Sequence, residues 1–396
     1  MAATRIATVP TNTAKDQAAV SGVGYTKITR NSGVSVMTLA LEACYNAIRD
    51  AGLTPKDVDG ILSYSVNDSV PVREVAMALG MAGTHWQNDV QGGGSQSCAI
   101  VAQAAMAIAS GLCKHVVCFR AMNGRSGVRM GRLRTSAGAT GFGGTTQFMA
   151  PFGFGGPPMT YAMMARRHMI EYGTTNDQLG AIAVTLRANA LHNERAVMRD
   201  PLTLDDYRAS RWVAQPFHLL DCCQETDAAC AMIVSRADIA RDMPHRPAYV
   251  TSFAYGGGPN PGPQLDKYDD FTTMFPKYIA PGLFARAGIT VADVDVAEIY
   301  DAFTFTVLCQ VEDFGFCKKG EGGPFVESGN IALTGKIPVG THGGLLNEGY
   351  VHGLNNVAEA VGQLRGRAGR RQVKDAEIAL CSGFGGNVGS ALLLRR

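Results

Sequence analysis

The chain is 396 residues long, 46% hydrophobic and 18% charged, and its 36 Lys and Arg against 34 Asp and Glu leave a formal net charge of +2. Apolar content of that size excludes a disordered chain, and near-neutral charge excludes a bulk polycation built for nucleic acid. At roughly 150 residues per domain the length calls for two or three units, or for one large duplicated one.

The N-terminus, Met1-Ala-Ala-Thr-Arg5, carries no apolar core of signal length. A first helix is predicted from Leu41, Cys44, Ile48 and Ala51, which share one face, and Gly52 ends it. The strand Gly60-Ile-Leu-Ser-Tyr64 follows. Next, Gln91-Gly-Gly-Gly-Ser-Gln-Ser-Cys98 reads as a strand-to-helix junction of small residues that lets a ligand approach a helix N-terminus. The apolar stretch Cys98 to Cys113 falls short of the ~20 residues that span a membrane, so it predicts a buried helix. Val116-Val-Cys-Phe119 is a short apolar strand.

Val90 to Ile170 holds no Asp or Glu but eight basic residues, Lys114, Arg120, Arg125, Arg129, Arg132, Arg134, Arg166 and Arg167, with a Gly- and Phe-rich loop at 141–156. Two readings stand: a subunit-contact loop with solvated arginines, or a surface for a polyanionic small molecule. From Pro157 to Asp221 the chain is predicted mostly helical, broken at Gly173-Thr-Thr and Thr203-Leu-Asp-Asp. Further strands are predicted at Ala248–Phe253, Ile378–Cys381 and Ala391–Leu394. Apolar strands between helices indicate a sheet covered on both faces. The ten cysteines form no C-x-x-C pair and no His pair stands at helical spacing, which predicts reduced thiols in a cytoplasmic protein without a metal site.

One repeat organises the rest. Ala51-Gly-Leu-Thr-Pro-Lys-Asp-Val-Asp59 returns as Ala287-Gly-Ile-Thr-Val-Ala-Asp-Val-Asp295, identical at six of nine positions. Each copy follows a helical pattern and precedes a short apolar run, Gly60–Tyr64 and Val296–Tyr300. Two similar α/β halves follow from it.

Four glycine-flanked stretches are candidates for chemistry: Gln91–Cys98, Glu298-Ile-Tyr-Asp-Ala-Phe303, Thr341–Gly353 and Cys381-Ser-Gly-Phe-Gly-Gly386. In this order they resemble the thiolase superfamily over nearly the whole chain. Gly343-Gly-Leu-Leu-Asn-Glu-Gly-Tyr-Val-His-Gly353 is similar to its motif G-G-x-x-x-x-G-H-P-x-G, and Cys381-Ser-Gly-Phe-Gly385 to its closing C-x-G-x-G. Thr226-Asp-Ala-Ala-Cys-Ala231 is similar to its strand with an acidic residue before small ones. The resemblance implies a duplicated α/β fold in five layers (αβαβα). Residues 1–245 would be the first half, with a loop and helical insertion at about 121–221, and 246–396 the second.

The departures from the family matter more. Aligned without gaps on Ile108-Ala-Ser-Gly111 and Val116-Val117, the family's nucleophilic cysteine falls at Gly94, and Cys98 lies one turn further on. The Asn or His before the family's acidic turn is Tyr300, and its activating histidine is Tyr350. Of the reactive set only Cys381 keeps its residue type. Cleaving a β-keto thioester needs a thiolate. Cleaving a β-hydroxy thioester does not: a base takes the hydroxyl proton, the Cα–Cβ bond breaks, and the thioester enolate is protonated.

The pattern, above all Leu346 to Arg365, is similar to the thiolase-like lipid-transfer-protein subgroup, which includes aldolases of bacterial steroid side-chain degradation. It implies retro-aldol cleavage of a β-hydroxyacyl-CoA with a bulky, steroid-derived acyl part, giving a ketone or aldehyde and a shorter acyl-CoA such as propionyl-CoA. Tyr300 and Tyr350 are the expected proton-transfer pair, one held partly ionised by a neighbouring cation or by hydrogen-bond donors, for which His352 and His342 stand near in sequence, because an ordinary phenol titrates near ~10. His352 and Cys381 are expected to assist them, and Gly94, Asp301, His342, Gly343, Gly344 and Gly385 to contact substrate or coenzyme A. No cofactor is expected beyond the coenzyme A of the substrate. The expected partners are a second copy of this chain and a small OB-fold subunit, often with a zinc ribbon, and neither nucleic acid nor membrane.

Plainer roles stand beside these. Tyr300 can be a packed strand-end tyrosine, Asp301 a residue holding a turn, His352 structural, and Cys381 a small core residue. Two other functions remain open as well: a degenerate thiolase using Cys98 or Cys381, and a non-catalytic lipid or acyl-CoA carrier.

Overall fold

A computed structural model describes residues 12–127, 129, 150–154, 156–259 and 270–396. Arg132, Arg134 and most of the Gly- and Phe-rich loop lie outside them. The first half runs β1 (Ala18–Tyr25), α1 (Val36–Asp50), β2 (Gly60–Ser65), α2 (Val72–Leu79), β3 (Trp86–Gln91), α3 (Ser97–Ala109) and β4 (His115–Asn123). Helices α4 (Pro157–Tyr172), α5 (Asn176–Ala190) and α6 (Leu204–Ala209), then the short strands β5 (Trp212–Ala214) and β6 (Phe217–His218), lead to β7 (Asp227–Arg236) and α7 (Ala237–Ala240). The rest is β8 (Ala248–Gly257), α8 (Pro276–Ala287), β9 (Val296–Glu298), α9 (Thr304–Phe314), α10 (Gly322–Glu327), α11 (Gly344–Asn347), α12 (Leu354–Leu364), β10 (Ile378–Phe384) and β11 (Val388–Arg395).

Nine strands form one mixed sheet in the order β3-β2-β4-β7-β1-β8-β11-β10-β9. The β1–β8 pairing, Ala19 opposite Tyr249 and Val20 opposite Ala248, joins the strands of the first part to those of the last. Helix α3 packs against β2, β4 and β7 on one side and β8, β10 and β11 on the other, with α12 beside it. Apart from Ser97 and Gln103 it is apolar, and Cys98, Ile100, Val101, Ala104, Ala105 and Ile108 are all buried, as suits a helix packed between two sheet faces. Helix α1 covers β1, β4 and β7 from outside, and α8 covers β8 and β11. The layers are therefore α, β, α, β, α, as the sequence resemblance implies. Close approach of α1 needs the glycines of β1: a Cβ at Gly22 would lie 2.3 Å from the Ala47 carbonyl oxygen, and one at Gly24 2.2 Å from that of Ala43.

The repeat is also a structural repeat. Gly52 and Gly288 end their helices at φ +71° and +75°. Thr54 and Thr290 then receive the same cap: their amides donate to Asp57 Oδ2 at 2.8 Å and to Asp293 Oδ2 at 2.7 Å. Asp59 Oδ1 accepts from the amides of Lys114 and His115 at 3.0 and 2.9 Å. Asp295 Oδ2 accepts from those of Glu377 and Ile378, both at 2.8 Å. Each aspartate thereby sets the parallel neighbour of its own strand, β4 beside β2 and β10 beside β9.

The segment 157–221 carries three helices up to Ala209, with N-caps at Thr175 and Thr203 and a non-helical stretch at 191–203 between the last two. It then departs from the helical expectation. Pro216 has no amide hydrogen to continue a helix, and Trp212 stacks on His218 at 3.7 Å, closing the β5–β6 ladder instead.

Candidate active site

Tyr300 stands just beyond β9 and Tyr350 just beyond α11, and their hydroxyls meet at 2.7 Å. The Tyr300 backbone is pinned twice: its amide donates to Ser382 Oγ at 2.9 Å, and its carbonyl accepts from Gln310 Nε2 at 2.8 Å. Ser382 in turn donates to Gln310 Oε1 at 2.7 Å. Its ring stacks on Phe384, with centroids 6.0 Å apart, and lies in a slot between two glycines. A Cβ at Gly94 would sit 2.2 Å from Tyr300 Oη, and one at Gly353 2.5 Å from its ring. Thr226 holds Tyr350, accepting from its amide at 2.9 Å and donating to its carbonyl at 3.1 Å.

Both phenols are buried, at 2% and 9% exposure. Burial pushes both above the ordinary phenol range, and each is further opposed by nearby groups, Tyr300 by Tyr350 and Tyr350 by Cys223. The nearby cation is Arg120, not the expected His352 or His342; it acts on Tyr350 in the lowering direction, but burial outweighs it. The pair is therefore neutral, where the sequence suggested one phenol held partly ionised. A neutral pair in hydrogen-bond contact can pass protons by relay without a free phenolate.

His352 follows two residues after Tyr350, with ring centroids 4.9 Å apart. Its backbone is left-handed, φ +53°, an uncommon conformation for a residue with a side chain. Tyr64 Oη steadies it by donating to its carbonyl at 2.8 Å. Arg120 donates to its Nδ1 through Nε at 3.1 Å and Nη2 at 2.9 Å, and Nη2 also donates to Asp68 Oδ2 at 2.6 Å. Burial, then the Arg120 charge, push the imidazole well below its usual value. Arg120, Asp68 and Tyr64 are absent from the sequence-derived site. The one available signal was a charge in line with the apolar run Val116–Phe119, inside the acid-free segment.

The other expected residues divide into four places. Asp301 is fully buried and accepts from the amides of Leu345 and Leu346 at 2.8 and 3.0 Å. Burial pushes it up to about 7 against those two bonds. Gly343 and Gly344 turn the chain there at φ +99° and +65°, and a Cβ on Gly344 would meet Asp301 Oδ2 at 2.0 Å. Gly385 packs on Ser95, near Gly94. Cys381 is buried in the same core cluster as Cys98. Burial pushes the Cys381 thiol well up and the Cys98 thiol up to about 12.

His342 lies in a separate buried ion network. Its Nδ1 is 3.0 Å from Glu298 Oε2, whereas its Nε2 is 3.7 Å from Glu348 Oε2, close enough for charge attraction and too long for a hydrogen bond. A further cluster outside the site, His168, Cys309 and Glu312, brings its ligand-type atoms within 4.8 Å of one another. Glu312 there already accepts from His168 at 3.0 Å and faces the Lys319 ammonium at 3.1 Å.

A family model described as "Thiolase C-terminal domain-like" matches residues 260–394. The chain is also 39% identical over 377 residues to the "steroid side-chain-cleaving aldolase" of Thermomonospora curvata, covering 93% of this chain and 95% of that protein. The chain belongs to the thiolase superfamily. Within that superfamily it is 41% identical over 355 residues to the "17-hydroxy-3-oxo-4-pregnene-20-carboxyl-CoA lyase" of Mycobacterium tuberculosis, covering 88% of this chain and 92% of that one. Among solved structures, the "Ltp2-ChsH2(DUF35) aldolase" superposes with a TM-score of 0.90 at 38% identity, over 97% of this chain and 99% of that chain. For a member of the thiolase superfamily, the defining local feature of this chain is the slot at Gly94, which is filled by a tyrosine hydroxyl.

Proposed function

We propose that the chain is a carbon–carbon lyase that cleaves a β-hydroxyacyl-CoA by a retro-aldol reaction, with a steroid side-chain thioester as substrate. The phenol pair carries this reading. A side chain at residue 94 and the Tyr300 hydroxyl compete for the same 2.2 Å of space, so the site holds the Tyr300–Tyr350 relay in place of a nucleophile at that position.

In one concerted relay a phenolic oxygen takes the β-hydroxyl proton, its own proton crosses the 2.7 Å bond to the other phenol, and that phenol gives up its original proton toward Cα, so neither oxygen carries two protons. The Cα–Cβ bond breaks, its electron pair passes to the thioester enolate, and the second phenol protonates Cα. The products are a ketone or aldehyde and a shorter acyl-CoA such as propionyl-CoA. Both phenols end neutral, which suits a pair whose ionisation burial opposes. The balance closes with the coenzyme A of the substrate and calls for no further cofactor. The names of two relatives, a steroid side-chain-cleaving aldolase and a pregnene-carboxyl-CoA lyase, support the acyl group. Thiolysis would instead require a thiolate, and burial holds the Cys98 and Cys381 thiols high.

The proposed assembly is a homodimer carrying a small OB-fold, zinc-ribbon subunit, in the cytoplasm. Support for the dimer comes from β3, an edge strand whose Trp86 is exposed, with exposed Met106 and Leu112 on and after the adjoining helix. Support for the second subunit is the two-component name of the Ltp2 relative. All ten cysteines are free thiols, and no described helix is long and apolar enough to cross a membrane.

Matched β-hydroxy- and β-ketoacyl-CoA substrates, with and without the partner subunit, provide the test. Carbonyl release from the hydroxy compound alone, without added coenzyme A, is the expected result. A requirement for free coenzyme A, with loss on thiol alkylation, overturns it in favour of thiolysis. Binding without turnover of either substrate points to a carrier. Tyr300→Phe and Tyr350→Phe should each lower kcat by ~10²–10⁴-fold, the usual contribution of a positioned proton-transfer group; full activity in both removes the phenols from the mechanism.

A further inference from the structure

Arg120 is a fully buried arginine in the middle of the sheet, and the relay between the phenols makes no use of it. A guanidinium has only donors. Two of its N–H groups converge on His352 Nδ1, at 3.1 and 2.9 Å, so that nitrogen must offer a lone pair. The guanidinium cannot turn away. Its Nη1 donates to the Ala121 carbonyl at 2.8 Å and its Nη2 to Asp68 Oδ2 at 2.6 Å. Beside a fixed positive charge the buried ring stays neutral, so its one proton resides on Nε2. Among the described residues Nε2 has no hydrogen-bond partner. It faces the glycine run ahead of α3, where a Cβ at Gly93 would lie 3.2 Å from it. With no side chain at residue 93, that N–H is left uncovered there.

We propose that Arg120, braced by Asp68, is a positioning residue that locks His352 as the Nε2–H tautomer, and that this N–H donates to the thioester oxygen as the enolate forms. The assignment rests on the retro-aldol reading. In that reaction the phenols manage the migrating proton, and the thioester oxygen is the other atom that gains charge. A neutral, fixed N–H stabilises it without surrendering its proton.

The tautomer is read directly and without turnover, from the 15N shifts of the ring nitrogens in histidine-labelled protein, His352 being assigned by its loss in His352→Gln. Expected are a protonated Nε2 and an unprotonated Nδ1; a protonated Nδ1 overturns the lock, whatever the enzyme catalyses. In kinetics, His352→Phe should lower kcat by ~10²-fold with KM within ~3-fold, as loss of one oxyanion donor does. His352→Gln, which restores an N–H near Nε2, should recover a large part of that loss. Retention of wild-type kcat by His352→Phe overturns the donor role. The double variant Asp68→Asn/Arg120→Met leaves no buried charge unpaired and should show both tautomers. A single Nε2–H tautomer in the folded double variant overturns the role of Arg120, and the wild-type spectrum decides the tautomer even where that variant does not fold. Absence of cleavage by the wild type overturns the retro-aldol reading and the donor role with it, while the spectrum still reports the lock.

Discussion

A methyl group at residue 94 would meet the Tyr300 hydroxyl at 2.2 Å, and the backbone there cannot yield easily, because the Gly94 carbonyl is already bonded by Ser97 Oγ at 3.1 Å. Gly94→Ala should therefore displace the phenol and break its 2.7 Å contact with Tyr350. We expect kcat for the β-hydroxyacyl-CoA to fall by about 10²-fold, the scale of an ångström-sized misplacement, with an unchanged far-ultraviolet spectrum; wild-type turnover would show that the slot is not needed. At this scale the sequence was informative where a residue stands in place of another of known role. Gly94, Tyr300 and Tyr350 were legible for that reason. Arg120 and Asp68 were not, because they are 52 positions apart and meet only once β4 lies beside the loop after β2. A surplus of basic residues in a segment does not say which one is buried or what faces it.

Secondary elements are set by short polar contacts that the chain uses twice. Asp59 and Asp295 each accept backbone amides at the start of the next parallel strand. Removing a carboxylate there strands two amides, and hydrogen bonds to a charged group are worth ~1.5–3 kcal/mol. Asp59→Ala and Asp295→Ala should each lose about 2 kcal/mol in chemical denaturation and differ by less than ~1 kcal/mol; a large asymmetry would mean that the two turns do not carry equal load. This repeat was legible because both copies keep the helix-ending glycine, the threonine cap and the aspartate. Strand β3 was not, because an exposed edge with the sequence Trp86-Gln-Asn-Asp-Val-Gln91 shows no apolar alternation. The loop ahead of α11 adds a pH dependence. Burial opposes charge on His342, but Glu348 and Glu298 outweigh it and push the imidazole up to about 9. Its folded value exceeds the unfolded ~6.5, so its contribution is complete below pH ~6.5 and is lost as pH rises through about 9. His342→Gln should flatten that decline, worth roughly 3 kcal/mol in all at ~1.4 kcal/mol per pH unit, in denaturation series between pH 6 and 10. An unchanged slope would place the proton elsewhere.

On the scale of the whole molecule, the two similar parts do not behave as neighbours that touch at a surface. The β1–β8 ladder makes their strands one nine-stranded sheet, and α3, drawn from the first part, supplies the inner packing for β8, β10 and β11 of the last. Without those strands, the buried apolar side of α3 that packs on them would face water. Without α3, the inner faces of β10 and β11, with buried Leu392, Leu394 and Cys381, would lose their cover. The site has the same dependence: Gly94 belongs to the first part and Tyr300, Tyr350 and Gly353 to the last, so the phenol slot exists only when both are folded together. Heating should give one calorimetric transition, with van't Hoff and calorimetric enthalpies in agreement. Residues 1–245 and 246–396 produced separately should lack cooperative melting, and mixing them should restore it together with carbonyl release. Two resolved transitions, or a cooperative melt of either fragment alone, would show that the shared sheet and α3 do not bind the halves into one folding unit.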